Sequence, residues 1–371
     1  AFSIPRGVVG SAYCHIEGVA WHSRFNDRRA SDWGFDRVEW KLLNAHIALR
    51  QRLILESALR DRMARTGVVK ASALTVTLTV MASLSGCGLN GSPLSGEKPL
   101  ADKVSVTEAS DSDLLNRVLD QRSDSVKTRY AFRHPAETLS FFGIKPGMTV
   151  VETDPGGGWY SRILHSYLGK SGRLIGADFS VDMYPLFDYY SAEELAAQST
   201  WSERWPSEVM TLGEGARVEA FYLGSMPEAW IGEVDAFLFV RSLHNLEAFE
   251  DEGGYRTRAL SEAFRALKPG GIVGVVQHMG PESHSDEWAS GDNGYLKRSA
   301  VIASMETAGF VLDGESDINL NPADVPSESE YVWRLPPTSE GIGDTELAEA
   351  YAEIGESNRM TLRFRKPGAD E

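Results

Sequence analysis

From about residue 112 onward, short apolar runs of strand type alternate with amphipathic runs of helical type, and this alternation limits the folds open to the chain. Seven strand candidates occur, among them MTVVET, VDAFLFV and GGIVGVVQH, with helical spacing between most of them. Residues 181–215 are aromatic and irregular. Parallel strands need long crossovers that cover both faces of a sheet, so the pattern predicts an α/β, doubly wound and mainly parallel sheet.

The formal charge changes along the chain and divides it into three parts. Residues 1–62 carry a net charge of +3, residues 63–86 carry +2 with no acidic residue, and the remainder from Cys87 carries −21. An acidic domain of this kind lacks the clustered positive charge that nucleic-acid phosphates require. We therefore expect no nucleic-acid partner.

Residues 63–87 read MARTGVVKASALTVTLTVMASLSGC. Two cations open the segment, an uncharged stretch follows, and small residues end it, which is typical of a signal peptide and too short for a membrane span. The LSGC ending resembles the lipobox of bacterial lipoproteins, which implies lipidation of Cys87 and a periplasm-facing, lipid-anchored protein in the cell envelope. The alternative is a buried apolar helix with a chance cysteine, and then a cytoplasmic protein.

These features predict four segments. We expect residues 1–62 to lie outside the mature protein, with a genuine N-terminal extension as the alternative. Residues 63–87 are the predicted signal peptide and lipobox, residues 88–111 a Gly/Ser/Pro-rich tether, and residues 112–371 the folded domain. The chain has two cysteines, so we expect neither a disulfide framework nor a metal site.

The ends of the first two predicted strands carry the candidate chemistry, because doubly wound sheets bind ligands at the carboxyl ends of their strands. Glu152 ends the first strand, and three consecutive glycines, Gly156–Gly158, follow it closely. Bare backbone lets a ligand approach and leaves the N–H groups of the next helix free. Asp178 ends the second strand, where a carboxylate commonly binds a ribose diol. The pattern predicts a nucleoside site, with a plain strand–helix turn as the alternative.

The glycine loop also narrows the choice of nucleoside. Its three adjacent glycines do not have the G-x-G-x-x-G spacing of dinucleotide sites, and no lysine stands where a phosphate-binding loop has one. The bulky pair Trp159 and Tyr160 follows directly. We therefore expect a ligand without phosphates, and an NAD(P)-dependent oxidoreductase is the less favoured alternative.

The segment FFGIKPGMTVVETDPGGGWYSRIL resembles the first motif of class I S-adenosylmethionine-dependent methyltransferases. More narrowly, it is similar to a bacterial branch of predicted methyltransferases with PGGGWY at this point, and the likeness extends over about residues 125–367. The resemblance implies a Rossmann-like sheet of seven strands with the last one antiparallel. It also implies S-adenosylmethionine as cofactor and methyl transfer to an O, N or S atom of a small-molecule acceptor. A non-catalytic, lipid-anchored binding module with this fold is the alternative.

The resemblance further implies roles for individual residues. Asp178 would bind the ribose hydroxyls, and Phe179 would flank the adenine. The implied cofactor-binding residues are Glu152, Asp154, Gly156, Gly157, Gly158, Tyr160, Asp178, Phe179, Gly224 and Ser225. The implied catalytic or acceptor-side residues, which follow the fourth strand, are Arg241, His244 and Asn245.

Several of these side chains have plainer interpretations. His244 is a candidate general base, or a histidine that hydrogen-bonds to loop backbone. Tyr160 either stacks on a ligand or packs in the core. Arg133 and Glu137 lie four residues apart, which favours a surface ion pair on one helix face, with closure over the cofactor as the alternative. Gln277 stands where the branch has an aspartate before a histidine, which weakens any carboxylate–histidine pair there.

Overall fold

Eight strands form one sheet in the computed structural model, which describes residues 110–339 and 345–368. The order across the sheet is β3-β2-β1-β4-β5-β8-β7, and the short β6 pairs with the end of β5. Strands β1 to β5 run parallel, whereas β8 lies antiparallel between β5 and β7. In chain order the strands are β1 (Thr149–Thr153), β2 (Arg173–Asp178), β3 (Arg217–Tyr222), β4 (Val234–Val240), β5 (Leu267–Gly280), β6 (Leu296–Lys297), β7 (Val311–Ser316) and β8 (Arg359–Arg365). The predicted doubly wound, mainly parallel sheet with a last antiparallel strand is confirmed, and β6 is an addition to the seven predicted strands.

Helices connect these strands on both faces of the sheet. In chain order they are α1 (Asp111–Asp120), α2 (Asp124–Lys127), α3 (Tyr130–Arg133), α4 (Pro135–Phe141), α5 (Ser161–Leu168), α6 (Ala192–Gln198), α7 (Trp201–Met210), α8 (Leu243–Ala248), α9 (Glu250–Gly253), α10 (Tyr255–Ala266), α11 (Arg298–Thr307) and α12 (Thr345–Ile354). Short 3₁₀ turns cover Tyr184–Leu186, Glu228–Trp230 and Val332–Arg334.

The segment 181–215, irregular by sequence, contains two of these helices. Ser191 caps α6 by accepting a hydrogen bond from the Glu194 N–H, while the Glu194 carboxylate accepts one from the Ser191 N–H. Helix α7 buries Trp201 and Trp205, which lie four residues apart and so share one face. Two of the aromatic residues that obscured the helical period in the sequence thus form the buried face of α7.

The direction of the chain reverses at β1, and this reversal opens the crevice that holds the candidate site. The chain passes from β1 outward to β2 and β3, then returns to place β4 on the other side of β1. The loops that follow β1 and β4 therefore diverge, as at the switch point of other doubly wound sheets. The Thr153 hydroxyl joins the two strand ends by donating a hydrogen bond to the Leu238 carbonyl (2.9 Å) and accepting one from the Ser242 hydroxyl (2.6 Å).

Apolar side chains pack on each face of the sheet. Along β4, Phe237 and Phe239 belong to one core cluster and Leu238 to the other, as expected from the two-residue period of a strand. Helices α10 and α11 cover the first cluster, and helices α1, α4, α5 and α7 cover the second. Full burial of such side chains stabilises the fold by roughly 1.5–3 kcal/mol each. Packing on both faces thus stabilises the sheet, and the sheet in turn positions the loops at its carboxyl edge.

One glycine allows α7 to approach the sheet. A Cβ on Gly176, in β2, would lie 2.7 Å from the Trp205 ring and 2.9 Å from the Trp201 ring. Both distances are far below van der Waals contact, so the two indoles pack directly on the bare backbone of β2. This close approach also places α7 beside the end of β2, where Asp178 lies.

The segments predicted at the amino terminus lie outside the described residues. They are the upstream segment, the signal segment with Cys87, and the tether up to residue 109. The anchor and the domain boundaries therefore stay predictions. Within residues 110–339 and 345–368, no helix combines the length and the apolar character that crossing a membrane requires.

We expect Gly176→Ala to lower the free energy of unfolding by about 1–3 kcal/mol, because the new methyl group overpacks the indoles of α7. Urea unfolding followed by tryptophan fluorescence measures the change. Gly157→Ala is the control, since a Cβ there meets no atom within 4 Å, and its effect should stay within about 1 kcal/mol. Equal stabilities of the two variants would contradict the packing described for α7.

Candidate functional site at the carboxyl edge of the sheet

Two neighbouring cavities open at the carboxyl ends of the parallel strands. The β4-side cavity, with a volume of about 450 Å³, is lined by Arg241, His244 and Asn245 among others. The β2-side cavity, of about 250 Å³, is lined by Asp178 and other residues described below. Asp154 and Gly156 line both cavities. The loop after β1 therefore lies between two adjoining spaces, one at β2 and one at β4.

Glu152 is buried at the end of β1 and faces the start of α5. The Ser161 hydroxyl donates to Glu152 Oε2 at 2.7 Å, and the Ser161 N–H also donates to this carboxyl group. Burial raises the pKa of Glu152 to about 8, although these hydrogen bonds and two nearby arginines, Arg162 and Arg241, act in the opposite direction. The group is thus mainly uncharged at neutral pH and holds the first turn of α5 against β1.

The glycine loop leaves its backbone open to the crevice. Gly156 and Gly158 have φ values of +49° and +71°, which favour glycine over other residues. Gly156 and Gly157 line the β4-side cavity, and the Arg162 guanidinium donates to the Gly157 carbonyl. Asp154 precedes them with its N–H bonded to the Ala177 carbonyl at 2.8 Å. Its pKa is raised, first by burial and then by the nearby carboxyl group of Asp178.

Asp178 lies at the mouth of β2 and is 5% exposed. Its Oδ1 accepts a hydrogen bond from the Phe179 N–H at 2.8 Å, and the Tyr184 hydroxyl also donates to the carboxylate. Burial raises the pKa of Asp178 to about 6, even though both hydrogen bonds favour the charged form. The carboxylate is therefore available as a hydrogen-bond acceptor at neutral pH, in a cavity that aromatic side chains also line.

The rest of the β2-side cavity is mainly aromatic. Gln198 supplies a buried Oε1 atom that has no hydrogen-bond partner among the described residues. Arg204 and Glu208 lie at the same cavity and pair with each other at 2.6 Å. The aromatic residues that line it are Phe179, Tyr184, Tyr190, Trp201 and Trp205. The combination of flat apolar faces with isolated hydrogen-bond acceptors suits a base and a sugar.

Five of the ten predicted cofactor-binding residues line neither cavity: Glu152 and Gly158, described above, and Tyr160, Gly224 and Ser225. Tyr160 is buried, and its hydroxyl donates to the Arg133 carbonyl at 3.4 Å, so it packs in the core while Trp159 lines the β4-side cavity. The Gly224 N–H donates to Glu262 Oε2 at 2.7 Å, and the Ser225 hydroxyl donates to the Tyr222 carbonyl. Tyr160 is thus a core residue, whereas Gly224 and Ser225 lie in an exposed turn after β3 whose polar groups bond within the protein.

His244 lies on the wall of the β4-side cavity and is held by Gln277. The His244 Nδ1 lies 3.4 Å from Gln277 Oε1 and 3.3 Å from Gln277 Nε2. The Nε2 amide of Gln277 also donates to the Gly294 carbonyl at 3.0 Å. Burial, together with the nearby Arg241, lowers the pKa of His244 to about 4, although the hydrogen bond to Gln277 acts in the opposite direction. The ring is therefore neutral at physiological pH. With Nδ1 donating to Gln277 Oε1, the other ring nitrogen is an acceptor.

A second histidine stands beside the first. The His278 ring lies 5.4 Å from the His244 ring, and its Nδ1 is hydrogen-bonded to the Ser357 hydroxyl at 2.5 Å. Burial, followed by the neighbouring His244 and Arg241, lowers the pKa of His278 well below its usual range. Both imidazoles are thus neutral groups on one cavity wall.

The predicted surface ion pair between Arg133 and Glu137 is wrong. Arg133 is 5% exposed, and its Nε donates to both oxygens of Glu356 at 3.0 Å. Glu137 is exposed. Arg133 turns inward because the segment before β8 brings the buried Glu356 carboxylate to it, and its guanidinium also lies over the Trp159 ring at 4.8 Å. Arg133 lines the β4-side cavity, and closure over a cofactor stays a prediction.

The outer wall of the β4-side cavity comes from the last part of the chain. Trp333 approaches the His244 ring at 5.8 Å between centroids. Further lining residues of this wall are Val332, Leu335, Pro336, Pro337, Thr338, Glu356 and Ser357. Sequence reasoning did not identify them, because no motif surrounds them and their approach to β4 depends on long-range folding. The sequence signal available for this wall was the close spacing of Glu356, Ser357 and Arg359, which lie just before β8 and at its start.

Comparisons with known proteins place this crevice in context. No model of a known protein family matches the chain, and no curated protein matches it. A methyltransferase structure from Aquifex aeolicus is 16% identical with a TM-score of 0.39, and the match covers 68% of this chain and 97% of that one. Geranyl diphosphate C-methyltransferase from Streptomyces coelicolor is 17% identical with a TM-score of 0.40, covering 67% and 87%. The cyclase SpnF is 20% identical with a TM-score of 0.40, covering 69% and 93%.

Within residues 110–339 and 345–368, no three His, Cys, Asp or Glu side chains are grouped so that they could hold a metal ion.

We expect Glu152 to make stability depend on pH in a defined direction. Because folding raises its pKa from 4.5 to about 8, its contribution is fully present below pH 4.5 and is lost as pH rises through 8. Glu152→Gln removes this dependence. The stability difference between wild type and variant should therefore shift in favour of the variant, by on the order of a few kcal/mol, between pH 5 and pH 9.

Urea unfolding of both proteins at each pH measures this shift. The exposed Glu137→Gln variant, in α4, controls for the general effect of removing a carboxylate. A constant difference between wild type and Glu152→Gln across this range would show that Glu152 does not lie in the environment described here.

Proposed function

We propose that the protein is an S-adenosylmethionine-dependent methyltransferase that acts on a small-molecule acceptor. The observation that carries the proposal is the meeting of two different cavities at one bare glycine loop. One contains an acidic, aromatic nucleoside pocket at β2, and the other contains a neutral histidine and an arginine at β4. A ligand with a nucleoside at one end and a reactive group at the other fits this arrangement.

The β2-side cavity suits a nucleoside without phosphates. Asp178 offers a carboxylate to a ribose diol, and Gln198 Oε1 is a buried acceptor without a partner among the described residues. Arg204 is the one cation among its described lining residues, and Glu208 already pairs with it. A pyrophosphate would find no free positive charge there, which favours an adenosyl sulfonium over a dinucleotide.

The β4-side cavity would hold the acceptor. When bound, the cofactor supplies a methyl group on a sulfonium, which an acceptor O, N or S atom takes as the carbon–sulfur bond breaks with its electron pair left on sulfur. His244 takes up the proton that a hydroxyl, amine or thiol acceptor releases, through the ring nitrogen that does not bond to Gln277. Trp159 and Trp333 shield the space from water, and Asn245 adds a hydrogen-bonding group. Positioning of the acceptor supplies most of the rate enhancement.

We expect S-adenosylhomocysteine to bind the full chain with micromolar affinity, measured by calorimetric titration. Asp178→Ala should weaken binding about tenfold or more, because it removes a buried acceptor of charged hydrogen bonds. Asp182→Ala is the matched control: this aspartate lies four residues further on, has a side chain 66% exposed, and lines neither cavity. A parallel NADH titration tests the oxidoreductase alternative.

Each outcome bears on the proposal. Loss of S-adenosylhomocysteine binding in Asp178→Ala but not in Asp182→Ala supports it. A folded protein that binds neither ligand refutes it in favour of a binding module with an inherited fold. Binding of NADH without S-adenosylhomocysteine refutes it in favour of hydride transfer.

A further inference from the structure

Three arginines share a single buried carboxylate beside the β4-side cavity. Glu356 Oε1 lies 3.2 Å from Arg129 Nη1, Glu356 Oε2 lies 2.9 Å from Arg359 Nη1, and Arg133 Nε contacts both oxygens at 3.0 Å. Arg133 and Arg359 are 5% and 3% exposed. Burial alone would raise the pKa of Glu356, but Arg359 and Arg133 outweigh it and hold that pKa below its usual value. One negative charge is thus shared by three positive ones, which leaves an excess of positive charge.

Arg241 adds a further guanidinium on the cavity wall itself. Its side chain makes no hydrogen bond or ion pair with another described residue. It follows β4 with φ at +60°, a conformation uncommon for any residue but glycine. Burial, and then repulsion from Arg133 and Arg359, lowers its pKa to about 10, so it remains charged at neutral pH. The fold therefore holds an unneutralised cation at the end of β4.

The Glu356 cluster also contains an unsatisfied donor. Arg359 Nε is buried and has no hydrogen-bond partner among the described residues. Such groups are rare in folded proteins and are expensive to leave unpaired. The cluster as a whole thus has an excess of both positive charge and hydrogen-bond donors.

Two carboxyl groups at and after the end of β1 also interact electrostatically with Arg241. Burial raises the pKa of Glu152 to about 8, so this group is mainly protonated at neutral pH, and burial also raises the pKa of Asp154 well above its usual range. Arg162, which lines the same cavity, adds another positive charge and donates to the Gly157 carbonyl. An anion in the β4-side cavity would relieve the repulsion among these arginines.

The β4-side cavity also has an aromatic and apolar portion, and it is small. The indoles of Trp159 and Trp333 lie on its wall, and the volume of about 450 Å³ limits the occupant to a small molecule. The other apolar lining residues are Val240, Val332, Leu335, Pro336 and Pro337. Flat aromatic walls favour a flat apolar body on the ligand.

We propose that the acceptor is a small molecule with a flat apolar body and a carboxylate, and that Arg241 binds this carboxylate in the β4-side cavity. A guanidinium matches a planar carboxylate with two parallel hydrogen bonds. This inference rests on the proposed function, since it names the acceptor class of the same site. The methionyl carboxylate of the cofactor is the competing partner for Arg241, and the experiment separates the two.

The test uses benzoate as the probe and benzamide as its neutral counterpart of the same shape. Both are titrated into the full chain saturated with S-adenosylhomocysteine, at constant ionic strength, and binding is followed by ligand-observed NMR. We expect benzoate to bind about tenfold or more tightly than benzamide. Arg241→Gln should abolish this preference while leaving S-adenosylhomocysteine affinity unchanged, and Arg241→Lys should retain part of it.

Arg217→Gln is the matched control. Arg217 begins β3 at the opposite edge of the sheet, and its side chain is 68% exposed, so benzoate binding should not change. Equal affinity for benzoate and benzamide in wild type overturns the inference. This comparison needs no variant and stands even where Arg241→Gln fails to fold.

The remaining outcomes separate the two proposals. Loss of S-adenosylhomocysteine binding in Arg241→Gln, with benzoate preference intact, assigns Arg241 to the cofactor and overturns the inference. Normal S-adenosylhomocysteine binding without any benzoate preference overturns the acceptor class alone and leaves methyl transfer standing. Arg241-dependent benzoate binding in a protein that does not bind S-adenosylhomocysteine supports the carboxylate site and refutes the proposed function.

Discussion

The contact between the ends of β1 and β4 is the constraint on which the candidate site depends. Because the chain leaves β1 in one direction and returns on its other side, the two loops diverge, and the Thr153 hydroxyl holds their strands together through Leu238 and Ser242. Loops on an unfixed edge would not keep Asp178 and Arg241 on opposite sides of one glycine turn. The polar crevice thus follows from sheet topology and one buried hydrogen-bond pair.

Burial determines the charge state of the crevice more than sequence composition does. The chain has a net charge of −16, yet arginines outnumber carboxyl groups around the β4-side cavity. Arg133, Arg162 and Arg241 line it, burial raises the pKa of Asp154, and Glu356 is shared by three arginines. At β2 the cavity instead presents a carboxylate, because Asp178 accepts two hydrogen bonds that partly offset the effect of desolvation on its pKa. An acidic protein therefore presents one carboxylate-bearing pocket and one cationic pocket within a single crevice.

Local patterns in the sequence predicted the sheet and the residues at its strand ends. Strand period and glycine spacing are properties of neighbouring residues, so Glu152 and Asp178 were assigned to strand ends and are found there. The Glu356 cluster was not predictable in this way, because Arg133 and Glu356 are 223 residues apart in the chain. Helical spacing suggested Glu137 as the partner of Arg133, and a tertiary contact overrode it. Tyr160 faces the core because the turn rotates its side chain away from the crevice.

The uncharged amide of Gln277 affects both the two histidines and Arg241. A carboxylate at this position would stabilise an imidazolium at His244, and it would also neutralise part of the positive potential from Arg241. Gln277 instead fixes the ring through its amide, which carries no charge and also donates to the Gly294 carbonyl. His244 therefore remains a neutral proton acceptor, and Arg241 keeps its full attraction for an anion. The uncharged amide of Gln277 is consistent with a site that binds a negative acceptor next to an uncharged base.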